Sequence, residues 1–282
     1  MENTLYFLDR HFWSSPLLIL LFSGTIFLIV FLRYFLLSSA YQVLVNRLFK
    51  SSARKFNRAA PRQQWRREVK WSMLSAAIFT ILTAGCLWLY HQGYTKIYTA
   101  ASEFGAGYFL LSIVIFLVGY ETYYYWLHRW MHHPKVFRHV HKVHHDSIET
   151  SVFTSFSFHP LEAILQFLFL PLAVLLVPIH FAALGVVLTL WTISAIVNHA
   201  SVEVFPKNFT SHPIGKWLIG ATHHDLHHRE FKSNFGLYFT FWDRWMGTES
   251  RNYERTFMAR TKSPEAIRSR SPRHPSTDGL HK

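Results

Sequence analysis

The sequence has little sulfur and little acid. One cysteine, Cys86, stands among 282 residues, which excludes a disulfide framework and any metal site built on paired thiolates. Its apolar neighbours make it a small buried hydrophobe. Acidic residues number 16 against 29 Lys and Arg, for a formal net charge of +13. Such an excess suits an anionic partner, but the cations gather beside apolar blocks and form no recognisable reading module, so nucleic acid is not expected. An H-E-x-x-H helix is also missing, which counts against a zinc hydrolase.

What the chain has in abundance is apolar and aromatic surface: 50% hydrophobic residues, with 26 Phe and 10 Trp. Four blocks, 16–37, 71–90, 108–127 and 161–197, are each long enough to cross a hydrocarbon layer, which takes about 20 helical residues. The reading is an all-α integral membrane protein with four to five transmembrane or re-entrant helices. The first block follows acidic and neutral residues and ends without a small-residue cleavage site, so a retained helix is expected. Between the first two blocks lie Arg47, Lys50, Arg54, Lys55, Arg58, Arg62, Arg66, Arg67 and Lys70, against the single acid Glu68. That bias makes this loop cytoplasmic and attracts anionic membrane lipids. The link 91–107 carries only Lys96 and Glu103 and fits the opposite side. Block 161–197, interrupted by Pro171, Pro178 and His180, reads as a hairpin whose ends lie on one side, and the polar, β-branched segment 147–159 is expected to lie over the histidines. Three regions follow: 1–107, transmembrane with its basic loop; 108–250, catalytic; and 251–282, a basic disordered tail.

Nineteen histidines are present, and most fall in three clusters: His128, His132 and His133; His141, His144 and His145; His223, His224, His227 and His228. Residues three and four apart share a helix face, so each cluster aims several imidazoles at one place. Imidazole is the commonest nitrogen ligand, and histidines without thiolate suit iron, zinc, copper or nickel rather than magnesium or calcium. A lone histidine is usually a surface or hydrogen-bonded core residue. Three clusters beside apolar blocks are too costly to be incidental. One ion takes four to six ligands and about ten imidazoles are on offer, so a dinuclear site held by a histidine-rich helical cap on the cytoplasmic side is inferred. No Asp or Glu interrupts the first two clusters, which favours a redox pair that activates dioxygen over a hydrolytic pair. A metal transporter or metal-binding protein without redox catalysis is the alternative; its ligands belong near mid-span, whereas these fall beyond the span ends.

HRWMHH at His128, HKVHH at His141, FHPLE around His159, NHASVE around His199, HHDLHH at His223 and NFGLYFTFWDRWMGT at Asn234 together resemble the fatty acid hydroxylase and sterol desaturase superfamily. The run HHPKVFRHVHKVHH is most similar to the sterol C-5 desaturase branch, and the resemblance covers about residues 108–250. It implies two iron ions on the cytoplasmic face that use dioxygen to hydroxylate or desaturate a sterol-like or fatty-acyl lipid. It implies as ligands His128, His132 or His133, His141, His144, His145, His224, His227 and His228, with His199 a further ligand or near-ligand and His159 and His223 ligands or residues just behind them. Asp146, Asn198, Glu203 and Asp225 are candidates to fix ligand imidazoles from behind, Asp225 serving equally as a helix cap. No HPGG-like haem segment appears, so electrons come from a separate cytochrome b5-, ferredoxin- or reductase-type protein. TSVFTSFSFHP lacks a histidine that C-5 desaturases carry before their HP dipeptide, and NHASVE replaces their HDGD-like sequence, which leaves the substrate open. The aromatic run 120–126 reads as an interfacial belt or a lipid channel, and Glu121 within it as a functional group or a partner of a histidine.

Overall fold

A computed structural model of the chain describes residues 15–49, 61–100 and 102–261. In chain order it consists of α1 (Pro16–Leu48), α2 (Arg62–His91), β1 (Ile97–Tyr98), α3 (Gly105–Met131), α4 (Pro134–Val140) and α5 (Lys142–His145). Then come α6 (Pro160–Phe167), α7 (Phe169–Leu176), β2 (Ile179–His180), α8 (Phe181–His199), α9 (Ala221–Glu230), α10 (Phe241–Trp245) and α11 (Tyr253–Thr261). Among the described residues α1, α2, α3 and α8 are long and apolar enough to cross a membrane. Their outer faces carry Leu20, Ile81 and Leu110 at 69%, 71% and 64% exposure. Apolar surface turned outward on this scale is stable against lipid tails and not against water. The chain is a multi-pass membrane protein.

The helix starts follow local chemistry. The Ser15 hydroxyl accepts from Leu18 N and Pro16 occupies the first turn of α1, where a missing N–H costs nothing. α3 ends at Met131 because Pro134 cannot continue its ladder, and α4 starts on that proline. α6 and α7, parted at Leu168, form one arm of the expected hairpin and α8 the other, with the turn at Val177–His180.

Contacts at the two ends of the bundle fix its direction. At one end β1 pairs with β2 in parallel, Ile97 opposite Ile179, and the Tyr108 hydroxyl donates to Pro178 O. A core of Phe116, Leu170, Val174, Ile179, Ala183 and Val187 packs behind this pair. At the other end Val45 near the close of α1 packs on Val202, and Arg67 near the start of α2 donates to Asp146 O. The closing turns of α3 and α8, which carry His128 and His199, lie at that same end. All three histidine clusters therefore sit at one end of the bundle.

Four expectations change. Segment 147–159 meets the histidines only near its end, where Ser157 O and the Phe158 ring contact His144; the stretch before it is wedged among α1, α2 and α8, with Val152, Thr154, Ser155 and Phe156 buried. Glu68, the lone acid of the presumed loop, belongs to α2 and is the reason: its buried carboxylate accepts from the hydroxyls of Ser147, Ser151 and Thr154. The Tyr34 hydroxyl also donates to Phe153 O. Arg62, Arg66, Arg67 and Lys70 are likewise in α2, while Lys50, Arg54, Lys55 and Arg58 fall outside the described residues. Residues 253–261 are not a disordered tail: α11 buries Tyr253 and Phe257 against Leu226 of α9. The run 120–126 splits, with Tyr120, Tyr124 and Tyr125 buried inside and Trp126 facing out at 45%, so neither a simple belt nor a channel wall describes it.

Candidate metal centre

The structure sorts the imidazoles differently from their order in sequence. His128, His132, His141, His145 and His227 form one group and His144, His199, His224 and His228 a second, with the candidate ligand atoms of each group within 4.8 Å of one another. The sequence clusters are thus divided, and the expectation that each aims at one place fails. The cause is helical geometry: residues four apart share a face, whereas neighbours point about 100° apart. His128 with His132, His141 with His145, and His224 with His228 stay together as i, i+4 pairs. His144 and His145 part, as do His227 and His228, and these adjacent pairs join the two groups. The rings of His145 and His228 stack across the boundary at 4.5 Å.

Eight of these imidazoles are fully buried, and only His132 keeps partial exposure. Burial away from water, with neighbouring imidazoles adding to it, holds His141, His144, His145, His224 and His228 well below the usual histidine range. The same burial lowers His227 to about 4. The site is therefore built of neutral rings, which are the metal-binding form.

Their back nitrogens show which way each ring presents its lone pair. Nδ1–H of His128 donates to Phe235 O at 2.8 Å, of His227 to Ser233 O at 2.7 Å, of His199 to Ala195 O at 2.6 Å and of His144 to Ser157 O at 3.4 Å. His141 Nδ1 meets Glu162 Oε1 at 2.8 Å, both side chains fully buried. A neutral ring that donates from Nδ1 carries a bare lone pair on Nε2. Yet Nε2 of His128 lies 3.0 Å from Nε2 of His141, and Nε2 of His144 lies 3.2 Å from Nε2 of His199. His145 and His227 repeat the contact at 3.1 Å, His199 and His224 at 2.9 Å, and His224 and His228 at 3.2 Å. In the pairs His128–His141 and His144–His199, where both rings are held through Nδ1, acceptor faces acceptor, which repels unless a cation sits between. Imidazole nitrogens about 2.1 Å from a shared ion would stand about 3.0–3.4 Å apart at octahedral or tetrahedral angles, so the spacing fits a transition metal. His132 Nε2, buried without a hydrogen-bond partner, points the same way. No carboxylate enters either group among the described residues.

Several expected residues stand elsewhere. His133 is exposed and its Nδ1 accepts from Lys135 N, capping α4; His159 caps α6 the same way through Leu161 N. His223 is fully buried but belongs to neither group, 3.8 Å from the Asp243 carboxylate and edge-on to Tyr253. None of the four polar candidates touches a clustered imidazole. Asp146 pairs with Lys142 at 2.5 Å near the surface, and Asp225 binds Arg229 and Arg260. The Glu203 carboxylate accepts from Thr222 N and Phe205 N, starting α9. Asn198 donates to Leu237 O. Glu121 is no partner of a histidine either, since it accepts from the backbone of Leu237, Tyr238 and Phe239. The groups behind the rings are mostly main-chain carbonyls, which no residue pattern announces. Glu162 was the exception within reach, lying two residues past the HP dipeptide.

Residues 113–248 match the family model described as fatty acid hydroxylase. The human lathosterol oxidase is 33% identical over 188 residues, covering 65% of this chain and 60% of the relative. A delta(7)-sterol 5(6)-desaturase of Gibberella zeae is 33% identical over 192 residues (66% and 52%), and one of Aspergillus fumigatus 32% over 203 residues (71% and 54%). The chain thus spans 60% or less of the length of these curated relatives. No solved structure matches it. All nine clustered imidazoles, from His128 to His228, fall within the stretch matched by the family model, and on that stretch the chain is similar to the fatty acid hydroxylase family, with its likeness running to the sterol desaturases.

Proposed function

We propose that the protein is a membrane-bound, dioxygen-dependent lipid oxidoreductase whose two imidazole groups each hold one iron ion. The observation that carries this reading is the set of Nε2 atoms facing one another at 2.9–3.2 Å in two buried groups. His128, His132, His141, His145 and His227 would hold one ion, and His144, His199, His224 and His228 the other. When bound, a di-iron pair supplies reductive activation of dioxygen and abstraction of hydrogen from an unactivated C–H bond. The residues themselves hold the rings neutral and oriented, exclude water, and bring the site to the end of the bundle where a lipid chain or ring in the membrane reaches it. With two electrons and two protons from outside, dioxygen leaves as two waters when a C=C bond forms, or as one water when a hydroxyl forms.

The names of the relatives favour desaturation of a sterol-like ring over hydroxylation. The bias of Arg47, Arg62, Arg66, Arg67 and Lys70 to the histidine end supports a cytoplasmic face for the site. Electrons come from a separate carrier. The metal-transport alternative is not favoured, because the imidazoles cluster at the helix ends instead of along a mid-membrane path.

The test is metal content of protein purified without a histidine tag, together with lipid profiles of cells with and without the chain. Two irons per chain and a dioxygen-dependent lipid product, lighter by two hydrogens or heavier by one oxygen, are expected. Metal-dependent ion flux in vesicles with no oxygen consumed would overturn the reading.

A further inference from the structure

We propose that Glu121 and Asp243 are positioning residues: a carboxylate clamp that sets the metal affinity of the five-imidazole group by fixing the Phe235 carbonyl behind His128. This inference rests on the metal-binding reading above and concerns residues in neither group.

Five consecutive backbone N–H groups are taken by these two side chains. Phe235 N and Gly236 N donate to Asp243 Oδ1 and Oδ2 at 2.8 and 2.9 Å. Leu237 N, Tyr238 N and Phe239 N donate to Glu121 at 3.0, 2.9 and 3.3 Å. Both carboxylates are fully buried, and no Lys or Arg pairs with either among the described residues. Burying two acids without a cation is expensive, and Glu121 stands on an otherwise apolar face of α3. Apolar residues there would leave five N–H groups of the loop without acceptors. What the expense achieves is placement of a loop.

That loop is overdetermined. Asn234, at φ 61°, donates from Nδ2 to His223 O at 2.8 Å and accepts from Ser250 N at 2.7 Å. Asn198 donates to Leu237 O. A Cβ on Gly236 would lie 2.6 Å from Phe239 O and 2.9 Å from Glu121 Oε1, so the backbone has no room for a side chain. Held this way, Phe235 O receives the His128 Nδ1–H at 2.8 Å and directs Nε2 at its group. The four-imidazole group takes its back acceptors from elsewhere, Ala195 O within α8 and Ser157 O. Releasing the loop therefore weakens one metal and spares the other, and that asymmetry separates a positioning role from general support.

The experiment is iron per chain and chelator extraction rate for the full-length protein carrying Glu121→Gln or Asp243→Asn. Either amide turns an N–H toward backbone N–H groups and opens the clamp. Metal content is expected to fall from two ions toward one, with the lost ion bound about 10–100-fold more weakly and the retained ion released at the wild-type rate. Adding His132→Ala should remove nothing further, and adding His224→Ala should remove the second ion. Glu68→Gln, which loosens a different loop through an equally buried carboxylate, should retain the five-imidazole ion. Should one clamp variant not fold, the other carries the same expectation. Retention of both ions at wild-type affinity, joint loss of both from folded protein, or the same loss in Glu68→Gln overturns the clamp. Wild-type protein holding fewer than two ions instead overturns the metal-binding reading, and the clamp goes with it.

Discussion

His132 and His133 adjoin in sequence and diverge in chemistry. Replacing His132 with Ala removes a ring from the five-imidazole group and is expected to lower metal content by one ion. Replacing His133 removes only the Nδ1 cap of α4, a change worth about 0.5–2 kcal/mol of stability that leaves metal content intact. Metal analysis of the two variants checks this. Glu162→Gln is expected to weaken the same group about 10–100-fold, because an amide in place of the carboxylate loosens His141 from behind. Protons compete for the same lone pairs. The buried rings have folded-state values below the ordinary 6.5, His227 at about 4, so the unfolded chain binds protons first. Stability of the metal-free protein is therefore complete above about pH 6.5 and is lost as pH falls toward 4. Thermal unfolding of chelated protein at pH 7.5 and pH 5 should show the lower transition at pH 5. Residue types and helical spacing made most of the clustered imidazoles legible in the sequence. The i, i+4 rule found the pairs but not the division of His144 from His145, since three short helices meeting at angles decide which neighbour a ring joins. The carbonyls of Phe235, Ser157 and Ser233 carry no side-chain signal at all.

At the scale of elements, the spans were legible because a run of about 20 apolar residues has few other uses. α11 was not, because RNYERTFMART is polar and its apolar side is only Tyr253, Phe257 and little more. Its role lies in what it touches. Tyr253 and Phe257 pack on Leu226 of α9, Arg260 pairs with Asp225, and Glu230 at the end of α9 holds Ser250 and Asn252. α9 carries His224, His227 and His228, rings shared between both groups. A chain ending after Glu249 is thus expected to lose both ions, unlike the clamp variants, with Tyr253→Ala costing about 2–4 kcal/mol on its own. Metal content and thermal unfolding of the shortened chain check it. The wedge 147–159 escaped the sequence reading for a related reason: its polar residues suit water, and only the Glu68 carboxylate on α2 makes them suit the interior.

For the whole molecule, the sidedness and the electron supply are one question. α3 and α8 end, and α2 begins, where the imidazoles are, and the charge of Arg62, Arg66, Arg67 and Lys70 supports the cytoplasmic face proposed for that end. The carrier proposed above would then approach from that side, and the least enclosed ring of the two groups is the natural entry. His132 is the one partly exposed ring of the two groups, and Phe137 and Phe231 lie over it and His145, with ring centroids 5.4 Å from His132 to Phe137 and 4.7 Å from His145 to Phe231. Lys135, Arg138 and Lys232 flank this aromatic pair in sequence, are exposed, and have no acidic partner among the described residues. An acidic one-electron carrier fits such a face, and attraction across it governs the rate of encounter more than the strength of binding. Reversing all three charges to Glu is therefore expected to slow reduction by an acidic haem carrier about 10-fold or more at low salt, and less as salt screens the field. Dithionite should reduce the variant at the wild-type rate and its iron content should be unchanged. Stopped-flow reduction at low and at high ionic strength measures both; equal slowing with dithionite would place the effect inside the metal site and not at a docking face.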